Sequence, residues 1–184
     1  MSEMNHSAEL HLIIGCMFSG KSSELIKIIN KYRLLEKKIL AINHIFDKRY
    51  GSDKIISHDK NETSCLQLES LMSIVKTNDY KESEIIVIEE GHFFEDLDVF
   101  VKVCLGDNKT IYVAGLSGDY EMKPIGKILD LIPMANSTKQ LSALCLNCKD
   151  GTKAHFSKRI VKDDSQILVG SNEYIPVCRN HFNK

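Results

Sequence analysis

Leu10-His11-Leu12-Ile13-Ile14-Gly15-Cys16-Met17-Phe18-Ser19-Gly20-Lys21-Ser22 is the stretch that decides the fold. It begins as a short apolar run and breaks at a glycine, which reads as a buried strand feeding a turn. Residues 15–22 fit the pattern G-x-x-x-x-G-K-[ST]. From Lys21 onward Leu25, Ile26, Ile28, Ile29, Tyr32 and Leu35 recur at helical spacing. Strand, glycine loop and helix in that order make a cradle for phosphate. The curled backbone points N–H groups at phosphate oxygens, and the helix N-terminus adds its positive dipole. In such a cradle Gly15, Cys16, Met17, Phe18, Ser19 and Gly20 hold the phosphates of a nucleoside triphosphate. Lys21 reaches the β- and γ-phosphates, and the Ser22 hydroxyl ligates Mg²⁺. A plain glycine turn would account for the glycines but not for the lysine–serine pair.

Outward from this loop the chain alternates strands and helices. Ile39-Leu40-Ala41-Ile42 reads as the next strand, after the basic turn at Lys37 and Lys38. Residues 43–65 are polar and irregular, and residues 66–75 suggest a short helix. Ile85–Ile88 is the clearest buried strand; a helix over residues 96–105 and a strand over residues 110–114 follow. The pattern predicts an α/β fold, a P-loop parallel sheet with helices on both faces. After about residue 140 the segments shorten and cysteine pairs appear. We therefore expect a nucleotide-binding domain over residues 1–140 and a small β-rich zinc-binding module over residues 141–184.

Two carboxylates, Glu89 and Glu90, close the strand Ile85–Ile88. In doubly wound sheets ligands sit beyond the carboxyl ends of the strands. One carboxylate there can hold Mg²⁺, directly or through water, and a second can accept the proton of an attacking hydroxyl. Phe93-Phe94 follow; either could pack in the core or form an aromatic wall for a base.

Cys145-x-x-Cys148 and Cys178-x-x-His181 each offer two ligands one tight turn apart. Together they predict a closed, tetrahedral, structural Zn²⁺ site. A segment of about 40 residues in short strands has too little core to hold itself together, and a metal supplies the missing folding free energy. Cys16, Cys65 and Cys104 fit no partner pattern and read as plain thiols or core residues.

Composition narrows the class. Hydrophobic residues make up 43% of the 184, enough for a core, and 24 basic against 25 acidic side chains leave a formal charge of −1. That balance gives no overall pull toward nucleic acid or membrane. No run approaches the length of a membrane span, and residues 1–9 lack a signal-peptide pattern, so we expect a cytoplasmic protein.

In combination the motifs resemble the zinc-containing (type II) thymidine kinase family over nearly the whole chain. Met17-Phe18-Ser19-Gly20-Lys21-Ser22, Asp47-x-Arg49-Tyr50, Ser57-His58-Asp59 and Glu90-Gly91-x-Phe93-Phe94 stand in that family's order. Leu116-x-Gly118, Lys123-Pro124-x-Gly126, Phe156-Ser157-Lys158-Arg159 and the zinc ligands continue it. The resemblance implies transfer of the γ-phosphoryl group of ATP to the 5′-hydroxyl of thymidine, and of deoxyuridine, giving dTMP in nucleotide salvage. It assigns Glu90 as general base, Lys21 and Mg²⁺ as charge stabilisers with Arg49 assisting, and Glu89 as the carboxylate on the Mg²⁺ side. Met17, Phe93, Leu116, Tyr120 and Ser157 would line the nucleoside pocket. A lasso of Val169, Gly170, Ser171, Asn172, Glu173 and Tyr174 would cover the base. A homotetramer is the family's common state.

The sequence departs from that pattern at Cys16 (usually proline), Glu89 (usually aspartate), His92 (usually glutamine) and Ile125 (usually phenylalanine). Ser117, Asp119 and Tyr120 differ too, and the lasso is about one residue short. Several of these changes fall near the base. Two other classes compete. One is a zinc-ribbon P-loop ATPase that grips nucleic acid through Lys149, Lys153, Lys158, Arg159 and Lys162. The other is a degenerate relative that binds nucleotide for assembly or regulation.

Overall fold

The first strand, β1 (Glu9–Gly15), is paired on both of its edges and ends at the glycine loop. A computed structural model describes residues 7–47, 54–56, 61–163, 165–168, 170 and 172–183. Along the chain the next elements are α1 (Lys21–Leu34), β2 (Ile39–His44), β3 (Lys54–Ile56), β4 (Glu62–Ser64) and β5 (Leu66–Leu68). Then come α2 (Asn78–Glu82), β6 (Ile85–Ile88), α3 (Leu97–Gly106), β7 (Thr110–Leu116) and β8 (Ser137–Leu141). The last are β9 (Ala143–Leu144), β10 (Lys153–Ala154), β11 (Phe156–Arg159), β12 (Tyr174–Val177) and α4 (Arg179–Phe182).

Six strands form one parallel sheet in the order β5-β2-β6-β7-β1-β8. Its central strands are apolar at almost every position because both faces are covered. Leu10, Leu12, Ile42, Ile86, Ile88 and Val113 point to one side, where Leu97, Phe100, Val101 and Cys104 of α3 pack on them. Ile13, Ala41, Ile85, Val87 and Ala114 point to the other, against Leu25, Ile26 and Ile29 of α1. Leu25 and Ile29 are fully buried, each stabilising the fold by roughly 1.5–3 kcal/mol. This is the predicted α/β sheet with helices on both faces. The carboxyl ends of β1, β6 and β7 lie side by side, so the glycine loop, the Glu89-Glu90 pair and Leu116 share one edge.

Two local expectations are corrected. Residues 66–75 are not a helix. Leu66–Leu68 pairs in parallel with Ile42–His44 as an edge strand, and a single 3₁₀ turn, Leu71–Ile74, follows. The apolar spacing there imitates a helical period, but the sheet edge takes the first part. The Asp96 carboxylate then starts the turn by accepting from Ser70 Oγ (2.7 Å), Leu71 N (3.2 Å) and Met72 N (2.9 Å). Burial would push the Asp96 carboxyl up, but these donors outweigh it and hold it below its usual range. The tract 43–65 is also less irregular than predicted. β2 extends to His44, and β3 and β4 form a small antiparallel ladder.

After β8 the chain builds two small antiparallel ladders, β9–β10 and β11–β12. Their core is small: Ala143, Cys145, Ala154, Val177 and Cys178. Cys16 of the glycine loop is buried within it.

Candidate active site and metal centre

The glycine loop is shaped by Gly20, which takes φ +86° at the start of α1, a left-handed conformation that costs glycine little. Lys21, the next residue, is buried, and its Nζ donates to Cys16 O (2.9 Å) and Gly15 O (3.4 Å). The ammonium is thereby held over the loop. Phe18, in the same turn, is itself left-handed at φ +63°. Strain of this kind at non-glycine residues concentrates at functional sites.

Glu90 carries a second such distortion, φ +51° and ψ +40°. The left-handed turn at the strand end separates the two carboxylates. Glu89 Oε1 accepts from Ser22 Oγ at 2.6 Å, which joins the loop's hydroxyl to a buried carboxylate. That is an oxygen-rich donor pair suited to a hard divalent cation such as Mg²⁺. Glu90 turns instead toward His92, with Oε2 at 3.6 Å from Nδ1. Leu116 N donates to the same Nδ1 (3.3 Å), so the ring is held between the strand end and β7.

The turn Gly91–Phe93 is clamped from above. Gly126 stands at φ +58°, and a Cβ there would lie 2.0 Å from His92 O. Phe94 goes into the core, and Phe93 packs its ring at 4.2 Å from His92 and 5.6 Å from His44. Of the two phenylalanines, Phe93 alone borders the cavity that these groups enclose.

That cavity, of about 210 Å³, brings together most of the sequence-predicted site. Residues 17–22, Glu89, Glu90, Phe93, Leu116, Tyr120, Ser157, Gly170 and Tyr174 line it. Gly15 and Cys16 do not. The Cys16 thiol faces away and donates to Ala154 O (3.4 Å), and burial pushes that thiol up. Asn172 and Glu173 also lie off the wall, with Asn172 exposed. Arg49, Val169 and Ser171 lie outside the described residues, as do Tyr50, Ser57, His58 and Asp59. The wall includes Ile125, one of the departures from the family pattern noted near the base, and residues that the motif reading did not assign to the site: Asp47, His92, Asp119, Gln166, Ile167 and Leu168. The apolar run Ile167-Leu168-Val169, after the polar residues 162–166, was the available signal.

The second cluster is Cys145, Cys148, Cys178 and His181, whose ligand atoms lie within 4.8 Å of one another. Sulfurs bound to one tetrahedral Zn²⁺ at ~2.3 Å must stand about 3.8 Å apart, and an imidazole nitrogen about 3.5 Å from each sulfur. Cys148 Sγ and Cys178 Sγ are 3.7 Å apart. His181 Nδ1 is 3.6, 3.3 and 3.4 Å from the sulfurs of Cys145, Cys148 and Cys178. The donor set and its spacing fit such an ion with no fifth ligand. Burial opposes ionisation of Cys145, but the N–H groups of Cys178, Cys148 and Asn147 outweigh it and draw the thiol down toward thiolate.

The two sites are joined. Ser157, buried on β11, accepts from Met17 N at 2.9 Å, so the ladder β11–β12 props the phosphate loop. The basic run is partly committed inside the molecule. Lys158 Nζ donates to His181 O (2.8 Å), and Arg159 bonds the backbone of its own loop. Lys149, Lys153 and Lys162 are exposed. That leaves little of a continuous face for nucleic acid.

Fold and site together define a P-loop nucleotide-binding protein with a Cys₃His metal module buttressing its phosphate loop. The thymidine kinase family model matches residues 8–182, and the chain belongs to that family. It is 38% identical to the thymidine kinase of Sheeppox virus (strain KS-1), covering 94% of this chain and 96% of that one. It is 37% identical to thymidine kinase a of Arabidopsis thaliana (98% and 77%). It is 34% identical to the thymidine kinase of Oryza sativa subsp. japonica (98% and 68%). Among the described residues no helix is long and apolar enough to cross a membrane.

Proposed function

We propose that this chain is a thymidine kinase, moving the γ-phosphoryl group of ATP to the 5′-hydroxyl of thymidine, and of deoxyuridine, in nucleotide salvage. One observation carries the reading. A single cavity joins a phosphate loop to a buried carboxylate at the end of β6 and to an aromatic and aliphatic wall, Phe93, Leu116 and Tyr120.

In this reading residues 15–22 hold ATP and Lys21 balances charge on the transferred group. Ser22 and Glu89 would hold Mg²⁺, which supplies charge neutralisation across the β- and γ-phosphates. Glu90 takes the proton of the 5′-hydroxyl, and Arg49 assists. Met17, Phe93, Leu116, Tyr120 and Ser157 border the nucleoside, covered by residues 169–174. Residues 141–184 form the zinc-stapled module, set against the nucleotide-binding domain of residues 1–140. Zn²⁺ is structural, because the three thiols and the imidazole fill a tetrahedron. Location in the cytoplasm and assembly as a homotetramer belong to the same reading. Leu34 and Leu35 at the end of α1 are 85% and 59% exposed, the kind of surface that assembly covers. Sedimentation of the purified chain at about four times the monomer mass is the expected result.

The central test is direct. The protein is incubated with ATP–Mg²⁺ and a panel of nucleosides, and 5′-monophosphates are measured. Thymidine and deoxyuridine are expected to be phosphorylated. A panel without any product would sink the assignment.

A further inference from the structure

Residues 160–163 and 165–168 lie between β11 and β12, and hydrophobic packing does little to hold them. Ile160, Val161 and Ile167 are all substantially exposed. Polar contacts hold this stretch at two points. The first is Arg159, whose side chain is only 3% exposed. Its NH1 donates to Asp163 O (2.7 Å) and Ser165 O (2.6 Å), and its NH2 to Gln166 O (3.3 Å) and Tyr174 Oη (2.6 Å). The guanidinium lies over the Tyr120 ring at 3.8 Å, and Tyr174 Oη passes the chain on by donating to Leu168 O (3.1 Å). The second is Gln166. Its Nε2 donates to Asp119 Oδ2 (2.8 Å) and Pro124 O (3.3 Å), 47 and 42 residues away in the chain.

Asp119 is prepared for this contact. It is buried, and its other oxygen, Oδ1, accepts from Glu121 N (2.8 Å) and Lys123 N (2.9 Å). Two backbone bonds thus fix the carboxylate and aim Oδ2 at the covering loop. Fastening the loop then asks only that the Gln166 side chain be in place. A hydrogen bond to a buried carboxylate is strong enough to matter and weak enough to open during turnover.

We propose that Gln166 is a positioning residue: with Asp119 it latches residues 165–168 to the 119–124 segment on the cavity wall, Arg159 serving as the anchor, and the latch sets how tightly nucleoside is retained. The proposal rests on the nucleoside kinase reading above and adds a residue pair to it. The latch joins a residue next to Tyr120 to one beside Ile167 and Leu168, all on the cavity wall. Its loss falls on the nucleoside side, whereas the phosphate loop is braced separately through Ser157.

Polarity reversal tests this in the full chain. Gln166→Glu sets carboxylate against carboxylate, and Asp119→Asn sets amide against amide. In the double variant the introduced asparagine keeps its Oδ1 for the two backbone donors and turns its amide nitrogen to the introduced glutamate. Each single variant is expected to raise the nucleoside KM about tenfold or more, with the ATP KM moving less than about threefold, and the double to return within about threefold of wild type. Hydrogen exchange of the peptide spanning 160–168, without nucleoside, should quicken in Gln166→Glu and slow again in the double. Unchanged nucleoside KM and exchange in Gln166→Glu, or a double variant no better than that single one, overturns the latch. If wild type phosphorylates no nucleoside, the kinase reading fails, and the exchange comparison alone decides the latch.

Discussion

Glu90→Gln is expected to lose about 10²- to 10⁴-fold in kcat, the usual contribution of a positioned general base, or roughly 3–5 kcal/mol of barrier. ATP binding should persist, because the groups assigned above to the triphosphate lie elsewhere. Lys21 is held by the loop carbonyls of Gly15 and Cys16, and Ser22 is held by Glu89 rather than Glu90. Glutamine keeps the length and volume of the side chain, so the left-handed turn at residue 90 and the clamp by Gly126 are undisturbed. The measurement is single-turnover phosphorylation beside equilibrium ATP binding. Wild-type turnover in this variant would remove Glu90 as the base. An equal loss of ATP affinity would mean that Glu90 belongs with the metal-side carboxylate instead.

Stripping the metal should have an effect at least as large, through stability rather than chemistry. Elemental analysis should find about one zinc per chain, the capacity of one four-ligand site. Chelation, or Cys148→Ser, should unfold the ladders β9–β10 and β11–β12. Structural zinc contributes an apparent 10–16 kcal/mol in small modules, against a net stability of only about 5–15 kcal/mol for a whole domain. The damage should reach ATP as well. Cys16 is buried among the module's residues, and Ser157 holds Met17 N, so the phosphate loop loses its brace along with the module. The expected result is loss of the β-rich contribution to circular dichroism, together with weaker binding of both ATP and nucleoside. A metal-free chain that stays folded and binds ATP as before would refute the structural role. Weakened nucleoside binding with intact ATP binding would refute the coupling through Met17 and Cys16.

How far the sequence reached depends on the range of the interaction concerned. The phosphate loop was legible because its requirements are local: a strand end, glycines for the curl, a lysine and a hydroxyl within eight residues. Ile85–Ile88 was legible because a strand buried on both faces leaves an unbroken apolar run. The metal ligands could be read in pairs, since each pair is one tight turn. Residues 66–75 misled the reading because apolar spacing cannot report a neighbouring sheet edge or the Asp96 carboxylate that arrives from 24 to 26 residues away.

By itself, then, the sequence determined the α/β class, the cradle for phosphate, the carboxylates at a strand end and a four-ligand metal set. All of these are written in short windows whose geometry the backbone enforces. Tertiary structure alone decided what those parts do to one another. It turned Glu89 to Ser22 and Glu90 away from it, and it chose Phe93 over Phe94 for the cavity wall. It set the ladder β11–β12 against the phosphate loop, and it brought Gln166 to Asp119, 47 residues distant in the chain. The physical reason is the same in each case. These contacts join segments with no shared periodicity, brought together only when the sheet buries its two faces.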